Sequence, residues 1–332
     1  MYCCKPLISA FILLFALPSF SFTAFAAEPA SFEDKTEINK FIDEMVAEHK
    51  FDKAELSALF DKARLHQSII DAISRPAEGK PWYEYRPIFV TRSRVRGGVV
   101  FWQENEEIIK QVAEKYQVKP EIIVAIIGVE TRYGRHKGTY PILDSLATLA
   151  FAYPPRAKFF RSELKHYLLM AKEEGFDPLI QKGSYAGAMG MPQFISSSFR
   201  HYAVDFDGDG KRDLWDNPAD ALGSVGNYFK RHGWVAGKPV AHKVEVSGIK
   251  YKEILTKSLK PKYSQDELML AGVTLPGDIP INAKGNLIEL DSGDGPEYWV
   301  IWNNFYVISR YNHSVLYSLA VFQLSQEILA SR

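Results

Sequence analysis

Three stretches of this chain carry residues able to do chemistry. The first is Glu121 to Gly134, EIIVAIIGVETRYG, where Glu130 follows eight uncharged residues at 122–129. A carboxyl group carried out of an apolar helix into a cleft loses solvation. Its pKa then rises, and it stays protonated near neutral pH, as a general acid must. A solvated helix-end glutamate is the competing reading. The second stretch is Gly183-Ser-Tyr-Ala-Gly-Ala-Met-Gly-Met-Pro-Gln-Phe194. Its glycines and small residues allow close backbone approach to a ligand or another helix, with the Gln193 amide and the Phe194 ring at its end. Tight helix packing would explain the glycines alone; beside a buried glutamate they read as the floor of a polysaccharide groove. The third is Asp205-Phe-Asp-Gly-Asp-Gly-Lys-Arg-Asp-Leu-Trp-Asp216. Carboxylates at loop positions one, three and five with glycine at six match the start of an EF-hand calcium loop, against the alternative of an acidic surface turn. Position twelve is Asp216 rather than glutamate, and Asp220 is its rival.

Helices must position the first two stretches. Pro120 and Glu121 suit a helix start, and an uncharged run with no polar face predicts a helix buried on all sides. Before it, helices are expected over 35–49, from Asp52 with Glu55 as a capping partner, over 67–74 up to Pro76, and over 99–116. Between the last two, residues 80–86 read as an aromatic-dense loop. Asp144 is expected to cap a helix over 146–151, and a helix over 159–174 should close at Gly175. After Trp234 the pattern changes. Strands are expected over 240–246, 286–290, 298–302 and 306–310, with a hairpin turn at 291–295, before helical spacing returns over 313–329. The outline is mainly α, of the α+β kind: a helical part, a small antiparallel sheet and a closing helix.

With 332 residues, 46% of them hydrophobic, the chain can bury a sizeable core. Its 40 basic residues match 40 acidic ones, so no global field steers it to nucleic acid or a membrane surface. Met1 to Lys5 is a short positive start, 6–20 is mostly apolar, and Ala24-Phe25-Ala26 supplies a small-x-small cleavage pattern, so residues 1–26 read as a secretory signal peptide. The apolar run is short for a membrane span and is broken by Pro18. Both cysteines, Cys3 and Cys4, precede that run. There is thus no lipobox, and the mature chain has no disulfide or thiolate chemistry.

Taken together, Val129-Glu-Thr-Arg-Tyr-Gly134, the 184–194 segment, the calcium-like loop and Arg310-Tyr-Asn-His-Ser314 resemble the membrane-bound lytic murein transglycosylase B family, from about Lys35 to the C-terminus. The resemblance implies a lysozyme-like helical catalytic domain over 27–234, a small β domain over 235–310, and a C-terminal helix over 311–332 packed back on the first. It places the family's single catalytic acid/base at Glu130. It matches the groove-lining positions to Tyr85, Arg156, Ser184, Gln193, Phe194, Tyr228, Tyr311, Asn312 and Tyr317. A structural Ca2+ is implied at Asp205, Asp207, Asp209, the carbonyl of Lys211 and Asp220 (or Asp216), with no organic cofactor. The chain departs from the family in having Pro155-Arg156 where paired arginines are common, and one more residue between Trp215 and Asp220. The implied partners are peptidoglycan glycan strands and other cell-wall enzymes; the implied setting is the periplasm, as a monomer.

A single carboxyl group suggests a specific route. Neutral Glu130 protonates the leaving glycosidic oxygen, and its carboxylate then takes a proton from the muramic acid 6-hydroxyl, which attacks C1. The end formed is 1,6-anhydromuramoyl, and no water is consumed. Ser184, Gln193 and Tyr228 are expected to orient the sugar. Two rivals compete: a hydrolytic muramidase with a second carboxylate among Asp144, Asp177 or Glu163, and a non-catalytic peptidoglycan-binding protein.

Overall fold

A computed structural model describes residues 29–74, 79–277 and 279–332. The expected signal peptide and Pro76 lie outside these. Helices α1 (Thr36–His49) and α2 (Lys53–Lys62) form as expected, and Asp52 caps α2 by accepting the Glu55 N–H at 2.8 Å. After α3 (Gln67–Ile73), the aromatic stretch expected as a loop enters α4 (Trp82–Phe89). Pro81 precedes it, where a missing N–H costs nothing, and Trp82 and Tyr85, three apart, share its buried face. The single helix expected over 99–116 is two, α5 (Arg92–Glu104) and α6 (Glu106–Tyr116). They divide at Asn105, whose side-chain amide donates to the Phe101 carbonyl at 2.8 Å in competition with the helix ladder.

Next comes α7 (Pro120–Thr131), with every residue from 121 to 129 buried. It has no polar face, so neighbours must cover it on all sides, and α5 and α6 are among the helices packed against it. A two-residue ladder joins β1 (Tyr140–Pro141) to β2 (Lys182–Gly183) and frames the pair α8 (Ile142–Phe151) and α9 (Ala157–Glu174). As expected, α9 closes at Gly175 in the left-handed region (φ 70°). Asp144 is not the cap of a later helix. It lies inside α8, which starts earlier behind the fixed φ of Pro141, and its carboxylate accepts the Arg64 N–H at 2.9 Å and faces His66 Nε2 at 3.0 Å.

α10 (Ser196–Tyr202) and α11 (Pro218–Arg231) lead to a four-stranded antiparallel sheet. Its strands are β3 (Ala241–Val246), β4 (Val273–Thr274), β5 (Asn286–Asp291) and β6 (Pro296–Ile301), in the order β4-β3-β6-β5. α12 (Gln265–Leu270) precedes β4 and starts with a capping box between Ser264 and Glu267. The period-two alternation sorts the side chains. Ile288, Leu290, Trp299 and Ile301 join the main core, while Val244, Leu287 and Val300 form a second, smaller one with Leu268 and Val273.

The strand expected over 306–310 is instead helix α13 (Asn303–Ser309), with Phe305, Val307 and Ile308 buried. A short apolar run has no periodicity that separates strand from helix, and here the Tyr306 N–H closes a helical turn on the Trp302 carbonyl at 3.2 Å. α14 (Val315–Ser331), capped by Ser314, then lies along α7 and also touches α4 and α5. Among the described residues no helix is long and apolar enough to cross a membrane.

Candidate active site

Glu130 is the penultimate residue of α7 and is half-buried. Its Oε1 accepts the Tyr317 hydroxyl of α14 at 2.5 Å. Burial pushes the Glu130 pKa up to about 7, against the Tyr317 hydrogen bond, which favours the carboxylate. The Tyr317 phenol is pushed well above its ordinary range by burial and by the charge of Glu130.

The chain stops the helix firmly just past this residue. Arg132 (φ 51°), Tyr133 (φ 63°) and Gly134 (φ 81°) are consecutively left-handed, and the Arg132 and Tyr133 N–H groups return to the Gly128 and Ile127 carbonyls. Tyr133 folds back under α7 and donates to the Arg94 carbonyl at 2.7 Å. Room for its ring comes from Gly128, where a Cβ would stand 2.6 Å from the Tyr133 hydroxyl oxygen. Thr131 makes the tie that matters most to Glu130. Its hydroxyl donates to the Met191 carbonyl at 2.8 Å and accepts the Gly134 N–H at 3.0 Å, joining the end of α7 to the glycine-rich segment.

That segment is a tight loop. Met189 and Phe194 exchange backbone hydrogen bonds at 2.9 and 3.1 Å, and Met191 N–H donates to the Leu214 carbonyl at 2.8 Å. Gly190 (φ 67°) permits this approach, since a Cβ there would lie 2.4 Å from the Leu214 carbonyl oxygen. Ser184 Oγ accepts the Ala188 N–H at 3.0 Å, and the Gln193 amide donates to the Gly190 and Lys137 carbonyls at 3.0 and 3.2 Å.

An aromatic cluster stands beside the loop. The rings of Phe194, Tyr228 and Tyr311 lie 4.9 to 5.9 Å apart. Tyr228 donates to the Arg310 carbonyl at 2.6 Å and Tyr311 to the Pro192 carbonyl at 2.5 Å. Each phenol has one proton, so both are committed to the protein; Phe194 and Tyr228 are buried, and half-buried Tyr311 is the member of the cluster with ring surface left for a ligand. Tyr85 is buried against Trp82 and Phe89 and is close enough to Tyr317 to be felt by its phenol. Asn312 is exposed beside Tyr311. Arg156 makes its contacts elsewhere: its guanidinium lies 4.4 Å over the Phe159 ring and 5.1 Å over Phe160. Sequence reasoning missed Thr131 and Tyr133 as builders of the site, although both stand in the motif that contains Glu130.

A family model for the transglycosylase SLT domain matches residues 33–326. The chain belongs to the transglycosylase SLT domain family. This SLT-domain protein is 45% identical over 311 residues to membrane-bound lytic murein transglycosylase B of Escherichia coli, covering 91% of this chain and 85% of that one. Among solved structures it is similar to the soluble lytic transglycosylase SltB1 from Pseudomonas aeruginosa, with 48% identity, TM-score 0.85, and 89% and 99% of the two chains covered. It is also similar to Escherichia coli Slt35 in complex with calcium, with 45% identity, TM-score 0.83, and 91% and 96% covered. The fold is thus the lysozyme-like helical one with a small antiparallel sheet.

In this SLT-domain protein the side-chain oxygens of Asp205, Asp207 and Asp209 lie within 4.8 Å of one another. Gly208 (φ 80°) and Gly210 (φ 90°) make the turn that gathers them, so the donor set fits a hard cation. Lys211 follows, its N–H donated to Asp209 Oδ1 at 2.9 Å. The expected twelfth-position carboxylate does not join this cluster. Asp216 reaches out to Lys137 at 2.7 Å, and buried Asp220 accepts the Phe206 and Asp213 N–H groups at 2.7 and 2.8 Å, closing the loop from inside.

The rival carboxylates are committed to backbone. Glu163 accepts the Ser197 N–H at 2.8 Å and Asp177 the Leu179 N–H at 2.9 Å, while Asp144 holds the 64–66 segment. Of these, Glu163 is pushed up in pKa by burial, but its oxygen caps α10.

Proposed function

We propose that this protein is a lytic transglycosylase that cleaves the β-1,4 bond between N-acetylmuramic acid and N-acetylglucosamine in peptidoglycan, with Glu130 as sole acid and base. The observation that carries the reading is Glu130 itself: half-buried, with a pKa raised to about 7 and one oxygen held by Tyr317. Because Oε1 accepts from Tyr317, the carboxylic proton sits on Oε2, free to face a glycosidic oxygen. That proton passes to the leaving oxygen as the C1–O bond breaks. The resulting carboxylate takes the proton of the muramic 6-hydroxyl while its oxygen bonds to C1, and Glu130 is restored to the acid form. No water enters, and the product ends in a 1,6-anhydro ring. Half-buried Tyr311 offers its ring to sugar, backed by the buried rings of Phe194 and Tyr228. Gln193, Ser184 and Asn312 border the strand, with Tyr85 packed beneath and Arg156 reaching it only by leaving its place over Phe159 and Phe160.

The engagement of Asp144, Asp177 and Glu163 with backbone supports one carboxylate rather than two. Calcium held by Asp205, Asp207, Asp209 and the Lys211 carbonyl would brace the loop that meets Met191, a structural role. The enzyme works in the periplasm as a monomer. Mass spectrometry of the muropeptides released from purified sacculi tests the reading. Products with anhydro ends, one water lighter than hydrolysed ones, are expected; ordinary reducing ends would overturn the sole-Glu130 route.

A further inference from the structure

A cavity of about 510 Å³, apart from the catalytic residues, opens where the sheet meets the end of α11. Three lysines from three separate segments line it, Lys238, Lys260 and Lys284, together with Ile281, Tyr306 and the edge of Trp302. No acidic side chain is among its walls. Among the described residues the lysines that stand in salt bridges are others, Lys35, Lys40, Lys53, Lys80, Lys119, Lys137, Lys165 and Lys243. Glu267 feels the charge of Lys284, but its carboxylate is committed to the N–H of Ser264 in the capping box of α12. The chain as a whole is electrically balanced, with 40 basic and 40 acidic residues, so three lysines and no carboxylate around one cavity make a local positive patch.

The rim is apolar. Ile281 is 88% exposed, which no contact within the molecule rewards. Pro280, next to it, accepts the Gln265 side-chain amide at 2.6 Å, and this fixes the segment to the start of α12. The same short helix ends in Met269 and Leu270, 51% and 78% exposed. Beyond it, the Ser247 N–H donates to the Gly272 carbonyl at 2.9 Å, two residues before Ile249, which is 76% exposed. A small soluble anion would use the lysines and leave these side chains in water. A surface with phosphate headgroups over an apolar layer uses both.

We infer that the sheet side of the molecule docks on an anionic membrane surface, with a lipid phosphate drawn to Lys238, Lys260 and Lys284 and Ile281 entering the headgroup layer. The contact is independent of Glu130 and of turnover. It would hold the groove near the membrane without any spanning helix.

The test uses the purified protein and co-sedimentation with phosphatidylcholine vesicles, with and without phosphatidylglycerol. Binding is expected only with phosphatidylglycerol. Replacing the three lysines by Gln (K238Q, K260Q, K284Q) should weaken it about a hundredfold, at roughly tenfold or less per lysine near a charged surface. I281S should weaken it further, and K238R, K260R, K284R together should keep it. All of these positions are exposed or half-buried, and matching melting curves would verify that the variants fold. Release of anhydro-muropeptides from soluble glycan should be unchanged in the Gln variant, a readout that separates this inference from the catalytic reading. Equal binding of the Gln variant and the parent to anionic vesicles would overturn the inference. So would equal binding of the parent to neutral vesicles. A Gln variant slowed on peptide-bearing murein but not on stem-free glycan would assign the lysines to stem-peptide carboxylates and overturn it too.

Discussion

The Tyr317 hydroxyl donates to Glu130 Oε1 at 2.5 Å, so the C-terminal helix supplies the partner of a carboxyl group placed 187 residues earlier on α7. Two effects oppose each other at that carboxyl. Burial favours the neutral acid and the phenol favours the anion, and burial is the larger. The result is a group near half-protonation at neutral pH, suited to give a proton and take one back in a single turnover.

Glu130→Gln keeps the shape and the Tyr317 contact but removes the proton. Turnover should fall by about 10²- to 10⁴-fold or more, since general acid catalysis is worth that much. Stability gives an independent check. The folded pKa is about 7 against the ordinary 4.5, so the native state holds its proton more tightly and loses stability as pH rises between those values. Below both values the effect vanishes. The Gln variant should therefore melt like the parent near pH 4 and more stably near pH 8, by about 2 kcal/mol after allowance for partial exposure. Calorimetry at the two pH values measures this; an equal or lower melting point for the variant near pH 8 would place Glu130 in water.

Tyr317→Phe deletes the bond that favours the carboxylate. The Glu130 pKa should then rise further, moving the alkaline limb of the pH–rate profile upward, while loss of the fixed Oε1 lowers kcat by about tenfold or more. A profile that keeps its alkaline limb in place would mean that the phenol does not touch the catalytic carboxyl.

Much of this was legible in the sequence, for physical reasons that also explain the failures. The uncharged run before Glu130 and the proline at its start left α7 few options, and the Asp-x-Asp-x-Asp-Gly spacing made the 205–210 turn plain. Segments 80–86 and 306–310 were misread because the helices that take them up depend on burial against the rest of the chain rather than on their own periodicity. Within the site, residue types were visible but proton directions were not. Tyr228 was expected to orient the sugar and Tyr311 to line the groove, yet both give their protons to backbone carbonyls, and no pattern in a sequence reveals such a partner.

Calcium should act through two contacts between its loop and the site. Leu214 accepts from Met191 at 2.8 Å, and Lys137 donates to the Trp215 carbonyl at 2.7 Å while its own carbonyl receives the Gln193 amide. Added calcium is expected to stabilise the fold by about 2.7 kcal/mol at a hundred times Kd and so to raise the melting temperature, and chelation to reverse it. Lys137→Met cuts the ammonium's contacts with the Trp215 carbonyl and Asp216 and leaves Asp205, Asp207 and Asp209 intact. Activity should then fall several-fold with the calcium-dependent melting shift retained. A lost shift would instead mean that Lys137 helps build the metal site.

Thr131→Val tests the tie between Glu130 and the glycine-rich loop. Valine fills nearly the same space but cannot donate to the Met191 carbonyl or accept from the Gly134 N–H, and leaving such buried groups unpaired costs about 1 to 3 kcal/mol. The melting point should drop accordingly. If Thr131 only stabilised the fold, activity below the new melting point would match the parent. Because it is the residue next to Glu130, kcat should fall by about tenfold even where the variant is fully folded, with KM little changed. Thr131→Ser, which restores the hydroxyl, should recover most of that loss, whereas equal kcat in the Val variant and the parent would show that the helix end holds Glu130 in place without it.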